Sequence, residues 1–229
     1  MQYTTRGIIL SYIKYGETSI IVRIFTELFG KQSYLVQGVR KTKAKHSIAL
    51  FQPLMPLDMV VYHKKHATLH RIIEAKCHTP ISNILADLKK ATIATFLTEL
   101  LSKVLYEEEH TETLFDFLLQ SIVRLEALED KYELFYLKFM IQLGRYLGFG
   151  CDAASEINQQ LIRYGFHVKL QETELALLDA LINKEISNID TPGKQSLRNS
   201  LAALVRYFQL HIDTLDTLKS LSVLQEIGG

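Results

Sequence analysis

The sequence predicts an α+β protein in which a small five-stranded β-barrel, residues 1–79, precedes an all-helical domain, residues 80–229. Three observations carry this. Up to Thr79, short runs rich in β-branched and aromatic residues alternate with turn signals. From Pro80 onward, apolar residues recur every three or four positions, the spacing of an amphipathic helix. The charge also changes sign at this point. Residues 1–79 carry 12 Lys and Arg against 4 Asp and Glu, a balance of +8, whereas residues 80–229 carry 14 against 21, a balance of −7.

Thr5 to Lys14 and Thr18 to Thr26 read as two strands joined at Tyr15-Gly16-Glu17, forming a hairpin. A second turn, Glu27 to Lys31 centred on Gly30, leads into a third strand that runs to about Val39. His46 to Phe51 suits a short helical turn before Pro53 and Pro56 intervene. Met59 to His63 and Thr68 to Lys76 supply two further strands around the polar tip Lys64-Lys65-His66-Ala67. Five short strands interrupted between the third and fourth fit an oligonucleotide-binding (OB) barrel, and an SH3-like barrel satisfies the same count.

In the second half, one long helix is predicted from Ile81 to Leu105, with a polar end at Glu107-Glu108-Glu109. Others follow at Thr113 to Leu128, Glu133 to Leu147, Thr173 to Asn183, Lys194 to His211 and Thr217 to Glu226. Gly148 and Gly150 suit the end of the third of these helices, and Thr191-Pro192-Gly193 reads as a helix start with Pro in the first turn. Cys151 to Gln171 gives no clear period, and Tyr164 to Val168 reads as either a short strand or a loop.

The chain is 48% hydrophobic and 22% charged, an ordinary globular balance. No apolar run has the 18 or so residues that span a bilayer, and MQYTTRGIIL lacks the features of a signal peptide, so the cytoplasm is the expected compartment. Cys77 and Cys151 belong to no CxxC pair and are expected to be free, inert thiols. The sequence contains no GxxxxGK[ST], GxGxxG, GxSxG or HExxH, so nucleotide-dependent and common hydrolytic chemistry has no foothold. The carboxylates at Glu107 to Glu109 and at Glu129-Asp130 read as solvated helix ends. His63-x-x-His66-x-x-x-His70, with His78 beyond, has metal-like spacing but no thiolate or carboxylate beside it. These histidines read as surface groups that gain charge at lower pH. No catalytic residue, metal or cofactor is therefore expected.

The functional signal is cationic. Arg40, Lys41, Lys43 and Lys45, followed by His46, form a loop, and no acid occurs from Lys31 through Leu57. Such a loop attracts polyanions and neutralises phosphates without reading sequence. Around it lie Arg6, Lys14, Arg23, Lys31, Lys64, Lys65, Arg71 and Lys76, interleaved with Tyr12, Tyr15, Phe25, Tyr34 and Tyr62. Cationic grooves with aromatic faces hold single strands. About half of these aromatics must fill a barrel core, and Tyr15 and Tyr62 are the ones expected outside. An adaptor that recognises acidic protein tails, and an RNA-binding barrel, share the same charge pattern.

The order Thr5-Arg6-Gly7-Ile8-Ile9-Leu10, Tyr15-Gly16-Glu17-Thr18-Ser19-Ile20-Ile21-Val22, Phe25-Thr26, Gly30 and Gln37-Gly38-Val39-Arg40-Lys41 resembles the amino-terminal domain of the bacterial DNA repair protein RecO family. Phe51-Gln52-Pro53-Leu54, Leu69-x-x-Ile72-x-Glu74, Glu133 to Gly148 and Tyr207 to Leu224 extend the resemblance over nearly the whole chain. It implies a non-enzymatic recombination mediator with an OB barrel and a helical domain, cytoplasmic and associated with the nucleoid. Such a protein binds single- and double-stranded DNA, anneals complementary strands, and with RecR helps load RecA onto strands covered by single-strand-binding protein (SSB). It also implies that basic barrel residues contact DNA, that RecR engages the barrel, and that the SSB tail docks on the helical domain. Many relatives carry a four-cysteine zinc module after the Leu-Gly segment. Here Gly150-Cys151-Asp152-Ala153-Ala154 has no partner thiols, so zinc is not expected.

Overall fold

The computed structural model describes residues 1–39, 47–65, 67–106, 112–166 and 170–227, and its backbone groups into two compact units, Met1–Ala127 and Leu128–Gly229. The first unit opens with five strands: β1 (Gln2–Tyr15), β2 (Ser19–Thr26), β3 (Gly30–Val36), β4 (Pro56–Tyr62) and β5 (His70–Cys77). They close into a barrel in the order β1-β2-β3-β5-β4, with β3 and β5 parallel and the other pairs antiparallel. This is the OB barrel, and β1 makes its closure possible. Its 14 residues pair with β4 over Gln2 to Ile8 and with β2 over Gly7 to Tyr15. The register shifts between Ile9 and Ser11, a local irregularity that lets one strand bend into both neighbours. The backbone groups released there pair with the segment before β4, as Leu54 N–H donates to Ile9 O (2.9 Å) and Ile9 N–H donates to Met55 O (3.1 Å).

Alternation fills the interior with Ile9, Ile20, Val22, Ile24, Tyr34, Val36, Leu57, Met59 and Val61, all buried. Gly7 is needed where β1 crosses this core, because a Cβ there would collide with the side chains of Met59 and Ile24. A 3-10 turn at Ile48–Phe51, capped by Ser47, buries Phe51 completely. β4 begins at Pro56, three residues before the predicted start at Met59. The proline is the first residue of the strand, where a missing N–H is tolerated.

Three helices complete this unit: α1 (Ser82–Ala86), α2 (Leu88–Val104) and α3 (Glu112–Ala127). The single helix predicted from Ile81 to Leu105 is thus two. Asp87 leaves the helical backbone, and its carboxylate accepts from Lys90 N–H (2.9 Å), capping α2. Phe115 of α3 stacks on Phe25 of β2, ring centroids 6.2 Å apart, so this outward-facing aromatic is fully covered.

The second unit contains α4 (Tyr132–Tyr146), α5 (Ala154–Arg163), α6 (Glu172–Asn183), α7 (Lys194–His211) and α8 (Ser220–Ile227). Helix α4 is buried nearly all round, and the charge of Lys138 within it is met by the carbonyls of Leu181 (3.3 Å) and Lys184 (2.5 Å) at the end of α6. Gly148 ends α4 as predicted. Its φ is +88°, its N–H reaches Arg145 O, and Phe149 N–H reaches Gly144 O, the paired bonds of a Schellman stop. Helix α5 lies inside the stretch that gave no clear period. Only Ala154, Ile157 and Leu161 are buried on it, too few for a legible pattern. Tyr164 to Phe166 is a turn rather than a strand, and Val168 lies outside the described residues. Gly193, not Pro192, caps α7, so the proline precedes the helix. Both cysteines are free. Cys77 is exposed, and burial pushes the Cys151 thiol up to about 11. Among the described residues, no helix is long and apolar enough to cross a membrane, and no three His, Cys, Asp or Glu side chains form a group able to hold a metal.

Candidate nucleic-acid interface

Ligands of OB barrels lie on the outer face of β2 and β3, between the β1–β2 and β4–β5 connections. In this barrel, strand register aligns one row of outward residues that crosses β2 and β3 and continues around the barrel over β5 and β4. Ile13 pairs with Ile21, Ile21 with Leu35, Leu35 with Arg71, Arg71 with Tyr62, and Tyr62 with Gln2. At the spacing of neighbouring strands, the six residues cover roughly 24 Å of surface. A second row, Ser11, Arg23 and Ser33, lies beside it. Ile13 is 63% exposed, and Tyr12, Tyr15 and Tyr62 are also exposed. Phe25 and Tyr34, the other aromatics interleaved with the cations, are in the core.

The predicted cations divide into three groups. Arg40, Lys41, Lys43 and Lys45 lie outside the described residues. Lys14 at the end of β1, Arg23 on β2, Lys64 and Lys65 in the β4–β5 connection, and Arg71 on β5 are all exposed around the open face. Among the described residues, none of these five pairs with a carboxylate. Lys64 Nζ lies 5.8 Å from the Tyr62 ring centroid, within cation–π range.

Arg6 and Lys31 form the third group and face protein acceptors. Arg6 donates from Nε and Nη2 to the Glu27 carboxylate (3.0 and 2.6 Å) and from Nη2 to Asp116 (2.9 Å), and it lies 5.0 Å from the Phe115 ring centroid. Its hydrogen bonds hold the Glu27 carboxyl below the usual carboxylate range. Lys31 Nζ donates to Ser102 O (2.8 Å), and Lys31 N–H donates to Tyr106 O (3.1 Å). Both residues therefore help attach the barrel to α2 and α3. Lys76, also exposed, lies 3.7 Å from Asp58, which takes His78 at 2.9 Å.

The histidines need correction. His66 lies outside the described residues and His78 is exposed, but His70 is buried and His63 half-buried, so the series is not a set of surface charges. Phe29, His63 and His70 stack in a column with centroid spacings of 4.1 and 4.0 Å. Lys64 N–H donates to His70 Nδ1 (3.4 Å), which places the ring proton on Nε2, where Gln32 Oε1 accepts it at 2.9 Å. Burial, and to a lesser degree His63, lowers the His70 pKa. The neutral ring thus holds the base of the hairpin tip that carries Lys64 and Lys65. Sequence spacing suggested metal ligands or surface charges because it cannot show which ring faces the interior. The row from Ile13 to Gln2 was equally invisible, since it joins residues from all five strands.

A sequence model described as "Recombination protein O N terminal" matches residues 1–81, and one described as "Recombination protein O C terminal" matches residues 85–222. The chain is 35% identical over 238 residues to the DNA repair protein RecO of Flavobacterium psychrophilum, covering 99% of each. It is 33% identical over 240 residues to that of Bacteroides fragilis, again covering 99% of each. With the DNA repair protein RecO of Prosthecochloris aestuarii it shares 36% identity over 149 residues, 65% of this chain and 56% of that protein. The order of the barrel strands, the two matched regions and the end-to-end identity together establish that the chain belongs to the recombination protein O family.

Proposed function

We propose that this protein is a DNA-repair recombination mediator acting without chemical catalysis. It binds single- and double-stranded DNA on the open barrel face, anneals complementary strands, and with RecR promotes RecA loading onto SSB-coated single strands. Residues 1–79 are the DNA-binding part, working within the compact unit 1–127, and residues 80–229 are the helical part, on which the SSB tail docks. The protein works in the cytoplasm, on the chromosome.

The observation that carries this reading is the distribution of cations. Lys14, Arg23, Lys64, Lys65 and Arg71 face solvent around exposed Tyr12, Tyr15 and Tyr62, with Ile13, Ile21 and Leu35 between them. A cationic rim releases counterions from the strand it meets, and flat apolar side chains accept the bases. Annealing requires two polyanions to approach each other, and this surface lowers their repulsion without consuming a nucleotide. Arg40, Lys41, Lys43 and Lys45, which follow β3 in the sequence, add four further positive charges to this part of the chain.

The test is single-stranded DNA binding by fluorescence anisotropy over a salt series, followed by annealing of SSB-coated strands. One variant replaces Arg40, Lys41, Lys43 and Lys45 with Ala, and a second replaces Lys14, Arg23, Lys64 and Lys65. Each variant is expected to bind every sequence more weakly, with a salt slope shallower by up to roughly 3, at about 0.7 per lost phosphate contact. Unchanged slopes in both variants would move the DNA path elsewhere. If the wild type binds no DNA, the adaptor for acidic protein tails replaces this reading.

A further inference from the structure

We propose that the cleft between β3 and β5 is a base-reading pocket that prefers guanine, so that one nucleotide of the bound strand is selected by identity; this rests on the DNA-binding reading above. The cleft has a structural cause. β3 and β5 pair only at Tyr34 with His70 and Leu35 with Arg71. Beyond that point the two strands no longer pair, and the barrel wall opens above Val36 and Ile72, which are 2% and 6% exposed. The space is about 470 Å³, within the range of sites that bury a small ligand. Besides these two floor residues, its lining includes Gln2, Gln37, Tyr62 and Arg71.

The lining specifies what fits. The floor is apolar, and the Tyr62 ring, 42% exposed, supplies a flat wall. No carboxylate is among the lining residues. Arg71 Nη2 donates to Gln37 Oε1 (3.3 Å), which occupies one lone pair of that oxygen and leaves the Gln37 amide hydrogens as donors beside the remaining guanidinium N–H groups. Acceptors remain at the Gln2 side chain, whose amide makes no hydrogen bond among the described residues, at the second lone pair of Gln37 Oε1 and at the Tyr62 hydroxyl. A ligand that lies against the Tyr62 ring and engages the free side of the Arg71 fork is flat and presents two adjacent acceptors in its own plane. Guanine does so with O6 and N7, the pair that a guanidinium fork recognises most often. Adenine offers N7 beside an N6 amino donor, which would confront the guanidinium. Cytosine and thymine have a smaller face to set against Tyr62.

The aligned row also supplies a path. A strand lying over Ile13, Ile21 and Leu35 arrives next at Arg71 and Tyr62, so phosphate contacts outside the cleft bring a base to its mouth. Phosphate attraction gives affinity for any sequence, whereas the cleft adds discrimination at one position.

Fluorescein-labelled oligothymidines of about fifteen nucleotides test this, carrying one central guanine, 7-deazaguanine, adenine or cytosine, at roughly 200 mM salt to suppress the phosphate contribution. The guanine oligomer should bind about fivefold or more tighter than the all-thymine one, the lower end of the discrimination a bidentate pair supplies. 7-Deazaguanine, which lacks the N7 acceptor, should lose that gain. Arg71→Lys keeps the charge but not the fork; it should bring guanine and all-thymine binding level with each other, abolishing the preference. Gln37→Ala should weaken the preference without altering the salt slope. Equal binding of all oligomers by the wild type, or a preference that survives Arg71→Lys, overturns the pocket and leaves DNA binding intact. Absence of binding to any oligomer at low salt overturns both readings together.

Discussion

The cations of the barrel have opposite surroundings on its helix-covered side and its open face. Under α2 and α3, Arg6 is held by Glu27 and Asp116, and Lys31 donates to the carbonyl of Ser102. On the open face, Lys14, Arg23, Lys64, Lys65 and Arg71 meet no carboxylate among the described residues. All seven contribute equally to the charge balance of the first 79 residues. The difference teaches that a surplus of charge locates no interface by itself. What decides is whether a protein acceptor lies within reach of the cation, because a neutralised cation releases no counterions from DNA.

The largest effect on this division is expected from removing the helix cover. Phe115→Ala deletes the ring that stacks on Phe25 and lies under Arg6, and should destabilise the first unit by about 3–4 kcal/mol in denaturant melts. Arg6→Ala comes next. Its charge-assisted hydrogen bonds point to a loss of about 2 kcal/mol, kept modest because the side chain is 30% exposed. DNA affinity of this variant, measured where it remains folded, should stay within about twofold of wild type. A loss as large as that of the open-face variants would erase the distinction between the two sets. Lys64→Ala with Lys65→Ala should show the reverse, with an unchanged melting temperature and a salt slope lower by roughly 1.4 for two lost contacts on a single strand.

The smallest effect is one of pH. His70 accepts from Lys64 N–H through Nδ1, so protonation there removes the acceptor. His63, Tyr3, Tyr34, Lys64 and the Met1 ammonium surround this column. The folded pKa of His70 lies below its unfolded value, so below about pH 6.5 the unfolded chain binds more protons and stability is lost as pH falls towards the folded pKa. His211, lowered by its own burial, contributes with the same sign in the second unit. The melting temperature should therefore drop between about pH 7.5 and pH 5.5, and His70→Gln should shrink that drop. An equal drop in the variant would place the titration elsewhere.

Much of the fold was legible because its signals are local. The strands of the first two hairpin arms, the turns at Gly16 and Gly30, the stop at Gly148 and the full span of α7 follow from side-chain period and turn chemistry. The misses share a cause. Asp87 divides a continuous apolar period through its cap, Pro56 begins a strand, and α5 buries only three side chains; local pattern carries little of any of these. The site was legible as a list of cations and aromatics but not as a surface. Tyr15 and Tyr62 were expected outside and are exposed, whereas His70 was expected at the surface and is buried.

By itself, the sequence determined the type and order of most elements, the barrel-then-helix arrangement, and a strongly cationic first part, because each depends on neighbours a few positions away. Tertiary structure alone decided which cations face protein acceptors and which face solvent. Arg6 is separated from Glu27 by 21 positions and from Asp116 by 110, and Arg71 meets Gln37 across 34. Electrostatic and hydrogen-bonding partners act over a few ångströms of space, and only the closed barrel with its packed helices brings such distant positions together.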